Sequence, residues 1–304
     1  MRSLLLVLPC LASCTASPVV GARGQSIVGG EFAKPSEFPS VVGLELSLQL
    51  CSGTLIAPDW VLTAAHCLVE DAPKDITVHI DDDDLLDGVG RTVGVSEIHV
   101  HPLYKDKVLD HDIGLVKLAT PVTDRAPSRL HTTALPPGTA VVQAGYGASA
   151  SLSDGVDVGV LHKLSTTSVD CAQAGDPAVR GDRLTCYRLD ASGTCYGDSG
   201  GPSFVNVGGV LEIASFTSDG TDDFCVSGYD LQTTVAHELD FIQQYISPTG
   251  GGGTGGGGGT GGGADPAGAA HSTGGCSTAS GQGTLAIGLA LLALRRRGRR
   301  GSGR

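Results

Sequence analysis

Between residues 41 and 50 the apolar positions run together and then alternate, with Val41, Val42, Leu44, Leu46, Leu48 and Leu50 on the rhythm. A period of two turns one side of an extended chain toward a core, so this stretch is expected to be a strand with one buried face. Residues 76–80, 91–100, 113–118, 139–144, 159–164 and 210–216 follow the same style. Each is short, apolar or rich in β-favouring side chains, and bounded by Gly, Pro, Asp or Ser. Many short strands between turn signals argue for an all-β barrel or sandwich. Residues 233–246 break the pattern: Val235, Leu239, Ile242 and Ile246 recur at helical spacing behind a Thr able to cap, so a terminal helix is expected to close the domain.

Outside this body the rhythm stops. The chain has 304 residues, 40% of them hydrophobic, which is enough for a sizeable core. Of its 46 Gly, 17 fall within residues 250–283 without a collagen-like triplet, the composition of a flexible linker. The chain opens with one Arg, the run Leu4-Leu5-Leu6-Val7-Leu8 and then small residues, the pattern of an export signal. Residues 1–16 are read as that signal and 17–26 as a propeptide; a cut after Ala22 is the rival. Leu11-Ala12-Ser13-Cys14 also resembles a bacterial lipoprotein box, in which Cys14 would carry lipid.

At the other end, residues 285–294 are apolar apart from one Gly, short of the ~20 residues that a helical span needs. Arg295-Arg296-Arg297-Gly298-Arg299-Arg300 follows, and basic residues after an apolar segment favour the cytoplasmic side. Gly275-Cys276-Ser277, the apolar segment and the Arg cluster together resemble the myxobacterial C-terminal sorting tail. That resemblance implies processing near Cys276 and a protein held at the cell surface. Residues 248–275 are then a linker and 276–304 a sorting or membrane-anchor tail.

The formal charge of −12 hides an asymmetry. Eight of the 20 Lys and Arg lie in the two ends, so residues 27–249 hold 12 bases against 31 acids. Such a body repels phosphate, which excludes nucleic acid as a partner. Nine Cys sort by place: Cys10 and Cys14 in the signal, Cys276 in the tail, and six in the body. No C-x-x-C pair and no zinc-finger spacing of His occurs, and export makes disulfides the expected use. Spacing leaves 15 pairings of six Cys open.

Three segments carry candidate chemistry. Leu62-Thr63-Ala64-Ala65-His66-Cys67 sets a His beside a Cys, and His111-Asp112-Ile113-Gly114-Leu115 sets an acid at the mouth of an apolar strand. Either alone is as readily structural. Gly197-Asp198-Ser199-Gly200-Gly201-Pro202 is harder to read as a plain turn, because glycines on both sides of one Ser free the backbone to expose its hydroxyl and aim N–H groups at a ligand.

In the order His66, Asp112, Ser199, these segments resemble the trypsin/chymotrypsin family of serine proteases over residues 27 to about 247. The resemblance implies two packed six-stranded antiparallel β-barrels with a C-terminal helix, and a peptide-bond hydrolase working through an acyl-enzyme without a cofactor. It makes Ser199 the nucleophile, His66 the general base and then acid, and Asp112 the group that orients the His; the N–H groups of Gly197 and Ser199 form the oxyanion hole. It pairs Cys51 with Cys67, Cys171 with Cys186 and Cys195 with Cys225. Ile27-Val28-Gly29-Gly30 resembles the N-terminus that such proteases gain when a propeptide is removed, its amino group pairing with the acid before the nucleophile, here Asp198. Arg or Lys usually precedes that Ile, but Ser26 does here, with Arg23 three positions earlier. An activating protease that accepts Ser is therefore expected, this enzyme acting on itself included.

By the same resemblance the specificity pocket has Gly193 as its floor, Ser215 and Thr217 on one wall and Gly228 on the other. With no acid at Gly193 and Thr217 narrowing the slot, small or medium apolar side chains are expected, an elastase-like preference. Asp219, Asp222 and Asp223 read as solvated loop charges, although an acid reaching the pocket would restore a taste for basic residues. The expected partners are protein or peptide substrates, the activating protease, and a membrane through the tail.

Asp81-Asp82-Asp83-Asp84 lacks the spacing of an EF-hand and reads as a solvated loop, and His99 and His101 share a strand face without an evident third metal ligand. Two other classes compete. A binding or adhesion module could keep the protease fold without activity, but the intact His66, Asp112 and Ser199 weigh against it. Lipases and esterases share the chemistry but commonly use G-x-S-x-G in the order Ser, acid, His.

Overall fold

The computed structural model describes residues 27–105, 110–148, 158–175 and 183–246; the expected signal, propeptide, linker and sorting tail lie outside them. After a two-residue strand β1 (Glu31–Phe32) come β2 (Val41–Glu45), β3 (Leu50–Ala57), β4 (Trp60–Thr63), β5 (Thr77–Ile80), β6 (Arg91–Val100) and β7 (Gly114–Leu118). These six pair antiparallel in the order β2-β3-β4-β7-β6-β5, and β5 returns to β2 to close a barrel. The chain continues through β8 (Arg129–Leu130), β9 (Ala140–Gly145), β10 (His162–Val169), β11 (Leu184–Arg188), β12 (Pro202–Val207), β13 (Val210–Gly220) and β14 (Tyr229–Thr234). Here the order is β10-β11-β14-β13-β12-β9, closed by pairing of β9 with β10. Strand β1 adds to β10, β8 runs parallel to β13, and α1 (Leu239–Tyr245) ends the domain. The fold is thus the expected all-β, chymotrypsin-like pair of closed six-stranded barrels with a C-terminal helix. No helix among the described residues is long and apolar enough to cross a membrane.

The first barrel is filled by Val42, Leu44, Leu55, Val61, Val78 and Val116. A second cluster joins Leu62, Ile113 and Leu115 of that barrel to Phe204 and Phe216 of the other and to Phe241 and Ile242 of the helix. Barrel closure leaves no sheet edge to protect, and the seam between barrels becomes the place where loops from both can meet. Three disulfides join Cys51 to Cys67, Cys171 to Cys186 and Cys195 to Cys225, the pairs that the family resemblance implied.

Two local readings change. The alternating stretch 41–50 is not one strand, because the chain turns between β2 and β3, Leu46 N–H donates to Gln49 O (3.0 Å), and Leu48 is 87% exposed. The expected helix from residue 233 begins later: Thr233 and Thr234 end β14, a single 3-10 turn covers Val235–His237, and only then does α1 start. Helical spacing holds where it buries Phe241 and Ile242.

Candidate active site

His66 sits on a 3-10 turn, Ala65–Cys67, directly after β4. Its ring Nδ1 lies 2.8 Å from Asp112 Oδ2, and its backbone N–H donates to Asp112 Oδ1 at 2.9 Å. One carboxylate therefore holds both the ring and the main chain, which leaves Nε2 as the nitrogen able to exchange a proton with a substrate or nucleophile. Asp112 is 4% exposed and accepts a third bond, from Ser218 Oγ at 2.6 Å to Oδ2, while Thr233 Oγ1 donates to its backbone oxygen at 3.2 Å. The loop aims Asp112 by placing His111 at φ 56°, a left-handed conformation that a side chain makes unfavourable. His111 Nδ1, 3.0 Å from Glu238 Oε2, helps to hold it there.

Ser199 comes from the other barrel, in the turn before β12. Ser52 of β3 ties that turn to the first barrel: its N–H donates to Ser199 O at 2.8 Å and its hydroxyl to Gly197 O at 2.9 Å. Cys67, next to His66, has its sulfur 3.8 Å from the same Ser199 oxygen. The glycine pattern has a steric cause. Gly200 has φ 77°, and a Cβ there would stand 2.0 Å from Thr63 Oγ1 and 2.5 Å from Ser52 O, so only Gly lets the barrels close on this turn. Among the described residues, the N–H groups of Gly197 and Ser199 donate to no protein acceptor.

Asp198 is 1% exposed and accepts from Gly147 N–H (2.8 Å, Oδ1) and Cys195 N–H (2.9 Å, Oδ2). Burial pushes its carboxyl up to about 7 in spite of these two bonds. No Lys, Arg or His among the described residues forms an ion pair with it. Ile27 is fully buried, and the next residue, Val28, bridges to Gly193, whose N–H donates to Val28 O at 2.9 Å.

A pocket opens beside Ser199, lined by Leu189, Thr194, the Cys195–Cys225 disulfide, Thr217 and Ser218. Asp219, Gly220, Asp222, Asp223 and Asp230 line it as well. Of the expected pocket residues, Thr217 is in this lining, and Gly193, Ser215 and Gly228 are not. Ser215 is fully buried, its hydroxyl donating to Gln232 Oε1 at 2.8 Å. Ser218, three positions later, is the one that reaches Asp112.

The sequence matches the family model described as Trypsin over residues 27–242. Brachyurin of Leptuca pugilator is 32% identical over 71% of this chain and 97% of its own. Anionic trypsin of Canis lupus familiaris is 30% identical over 80% of this chain and 98% of its own. A trypsin of Saccharopolyspora erythraea is 33% identical over 59% of this chain and 82% of its own. The chain belongs to the trypsin family. It is a trypsin-like serine endopeptidase, a hydrolase whose substrates are proteins.

Several residues of this trypsin-family site escape a linear reading. Ser218 is hidden by a register shift between Thr217 and Asp219 where β13 meets β14. Asp230 lies in a strand that reads as polar, and Glu238 stands 127 residues from its partner His111. His101, His111 and Glu238 gather three potential metal ligands that the spacing of His99 and His101 could not reveal. The two imidazoles stack in parallel, 4.1 Å apart and 1° from coplanar, so their lone pairs do not converge on one ion. Arg183 Nη1 already supplies a cation 3.5 Å from His111 Nδ1. Burial, with the neighbouring His111 and Arg183 charges, holds His101 down at about 4. The acidic run is also used locally: Asp81 pairs with Arg125 at 2.6 Å, and buried Asp82 lies 3.3 Å from His79 Nδ1.

Proposed function

We propose that Ser199, His66 and Asp112 form the catalytic triad of an exported endopeptidase made as a zymogen. The observation that carries this is the double hold of buried Asp112 on the ring and main chain of His66, with the Ser199 turn bonded to the strand beside it. Ser199 Oγ attacks the peptide carbonyl while its proton passes to His66 Nε2. Asp112 stabilises the imidazolium, and the N–H groups of Gly197 and Ser199 bind the oxyanion. The imidazolium then gives its proton to the leaving amine, and water repeats the sequence on the acyl-enzyme.

Activation follows from Asp198. A buried carboxylate without a cation is costly, and a cut before Ile27 creates an ammonium next to Val28, which packs with Cys195, the residue whose N–H bonds Asp198. The pair would fix the Gly197–Ser199 backbone in its oxyanion-binding form. The residue before the cut is Ser26, so the activator accepts Ser, this enzyme included. Three disulfides fit an extracellular protein, and the signal-like start and Cys276 tail support export followed by attachment at the cell surface.

The test is to purify the protein from an exporting host, determine its first residue by mass spectrometry, and assay peptide hydrolysis. A start at Ile27 with hydrolysis lost at least ~1,000-fold in Ser199→Ala and His66→Ala is expected. An active sample with another N-terminus would overturn the activation step, and full activity in either variant would overturn the triad.

A further inference from the structure

Asp112 is aimed by the residue before it. His111 has φ 56°, and in that left-handed region a side chain crowds its own backbone, so the turn keeps this shape only if something outside it holds the residue. The turn itself offers one bond, from Ile113 N–H to the His111 backbone oxygen at 2.8 Å. The stronger hold comes through the imidazole. Its Nδ1 lies 3.0 Å from Glu238 Oε2, across 127 residues of sequence, and so ties the loop before β7 of the first barrel to the segment that enters α1.

Glu238 is itself well anchored. It is 2% exposed, its N–H donates to Val235 O at 3.0 Å, and Ile242 N–H donates to its backbone oxygen at 3.1 Å. Burial pushes its carboxyl up, and the bond from His111 with the charges of His111 and Arg183 acts against that shift. Arg183, just before β11, spans the cluster: Nη1 lies 3.9 Å from Glu238 Oε1, and Nε lies 3.4 Å from Asp110 Oδ1. That Asp110 oxygen is buried without a hydrogen bond and stands 3.7 Å from His111 Nε2. Each ring nitrogen of His111 thus faces a carboxylate, while His101 stacks on the ring at 4.1 Å. Turning the ring would give up the Glu238 bond, so the ring and the backbone at 111 are fixed together.

We propose that Glu238 is a positioning residue for the hydrolysis: acting through the His111 side chain, it holds the left-handed turn that aims Asp112 at His66. The proposal rests on His66, Asp112 and Ser199 being the triad. One carboxylate holds both the ring and the main chain of His66, so a turn that relaxes loosens both contacts at once. The effect falls on kcat and spares KM, because an imidazolium left without its partner costs the transition state and not the bound substrate. Ser218 Oγ and Thr233 Oγ1 still bond Asp112 when Glu238 is removed, which makes the loss partial. A glycine at position 111 removes the need for the hold, since it adopts a left-handed conformation without crowding.

The test is a double-mutant cycle on protein that starts at Ile27, with kcat and KM measured on one peptide. Glu238→Ala is expected to lower kcat at least ~10-fold with KM within ~2-fold, and Glu238→Gln, whose amide oxygen still accepts from His111 Nδ1, to recover most of that loss. In the His111→Gly background the same Glu238→Ala change is expected to alter kcat less than ~2-fold. If Glu238→Ala does not fold, His111→Leu, which leaves a side chain on the turn without its anchor, is compared with His111→Gly; a kcat at least ~10-fold lower for Leu is expected. An equal loss from Glu238→Ala in both backgrounds overturns the proposal, as does an unchanged kcat, or equal rates for Leu and Gly at position 111. The proton between His66 Nδ1 and Asp112 gives a readout that needs no turnover, since a proton held between imidazole and carboxylate resonates far downfield in proton NMR. Its loss in Glu238→Ala and return with His111→Gly, in a protein that hydrolyses no peptide, would sustain the positioning and refute the triad. Hydrolysis by the wild type with equal losses in both backgrounds would do the reverse.

Discussion

Ser218 and the His66 ring share one oxygen, Oδ2 of Asp112, and the Ser218 bond at 2.6 Å is the shorter. A hydroxyl donated to a buried carboxylate stabilises the charge that must face the imidazolium, and such bonds contribute about 1.5–3 kcal/mol. Ser218→Ala is expected to lower kcat about tenfold with KM nearly unchanged, since the hydroxyl is spent on Asp112; steady-state kinetics on one peptide checks this. The proposed triad of His66, Asp112 and Ser199 was legible in sequence because it is written in short local motifs. Ser218 and Asp230 were not. One depends on a bulge that shifts β13 by a step, and the other on which face of β14 looks into a cavity. Neither is a property of neighbouring residues, so no local pattern announces it.

At the level of elements, short apolar runs and alternation located β2, β5, β6, β7, β9 and β13 and missed β3 and β4. β3 and β4 are buried almost throughout, so Cys51 to Ala57 and Trp60 to Thr63 show no period to read. β14 was hidden differently: Asp230, Gln232, Thr233 and Thr234 are buried polar residues, and polar residues read as loop until their partners are known. Those partners form one network, in which Gln232 Oε1 accepts from Ser203 Oγ (2.6 Å) and Ser215 Oγ (2.8 Å), and Gln232 Nε2 donates to Asp230. With both ends of its amide bonded, Gln232 ties β12, β13 and β14 together, and such a network fixes strand register more strictly than apolar packing does.

For the whole molecule the decisive joint is the seam between barrels, where Asp198 is buried without an ion pair among the described residues and the proposed cut before Ile27 would supply one. Its folded value of about 7 stands above the ordinary 3.8, so the uncut protein binds an extra proton on folding. The stability this gives is full below about 3.8 and is lost as pH rises through about 7. After a cut before Ile27 the new ammonium favours the charged carboxylate and removes that loss. Urea midpoints of the uncut and cut forms should therefore diverge between pH 5 and 7, the uncut form weakening relative to the cut one. Asp230, raised to about 6, and His101, lowered to about 4, act alike in both forms and drop out of the difference. Parallel curves would mean that Ile27 does not pair with Asp198.

Ser199 is proposed to be an activated nucleophile once the chain begins at Ile27. Its most direct test is reaction of that protein with a fluorophosphonate, the labelled peptide being identified by mass spectrometry. A single label on Ser199, absent from denatured protein and from His66→Ala, is the result expected. Correctly processed, folded protein that takes no label, or takes it on another residue, would contradict the account.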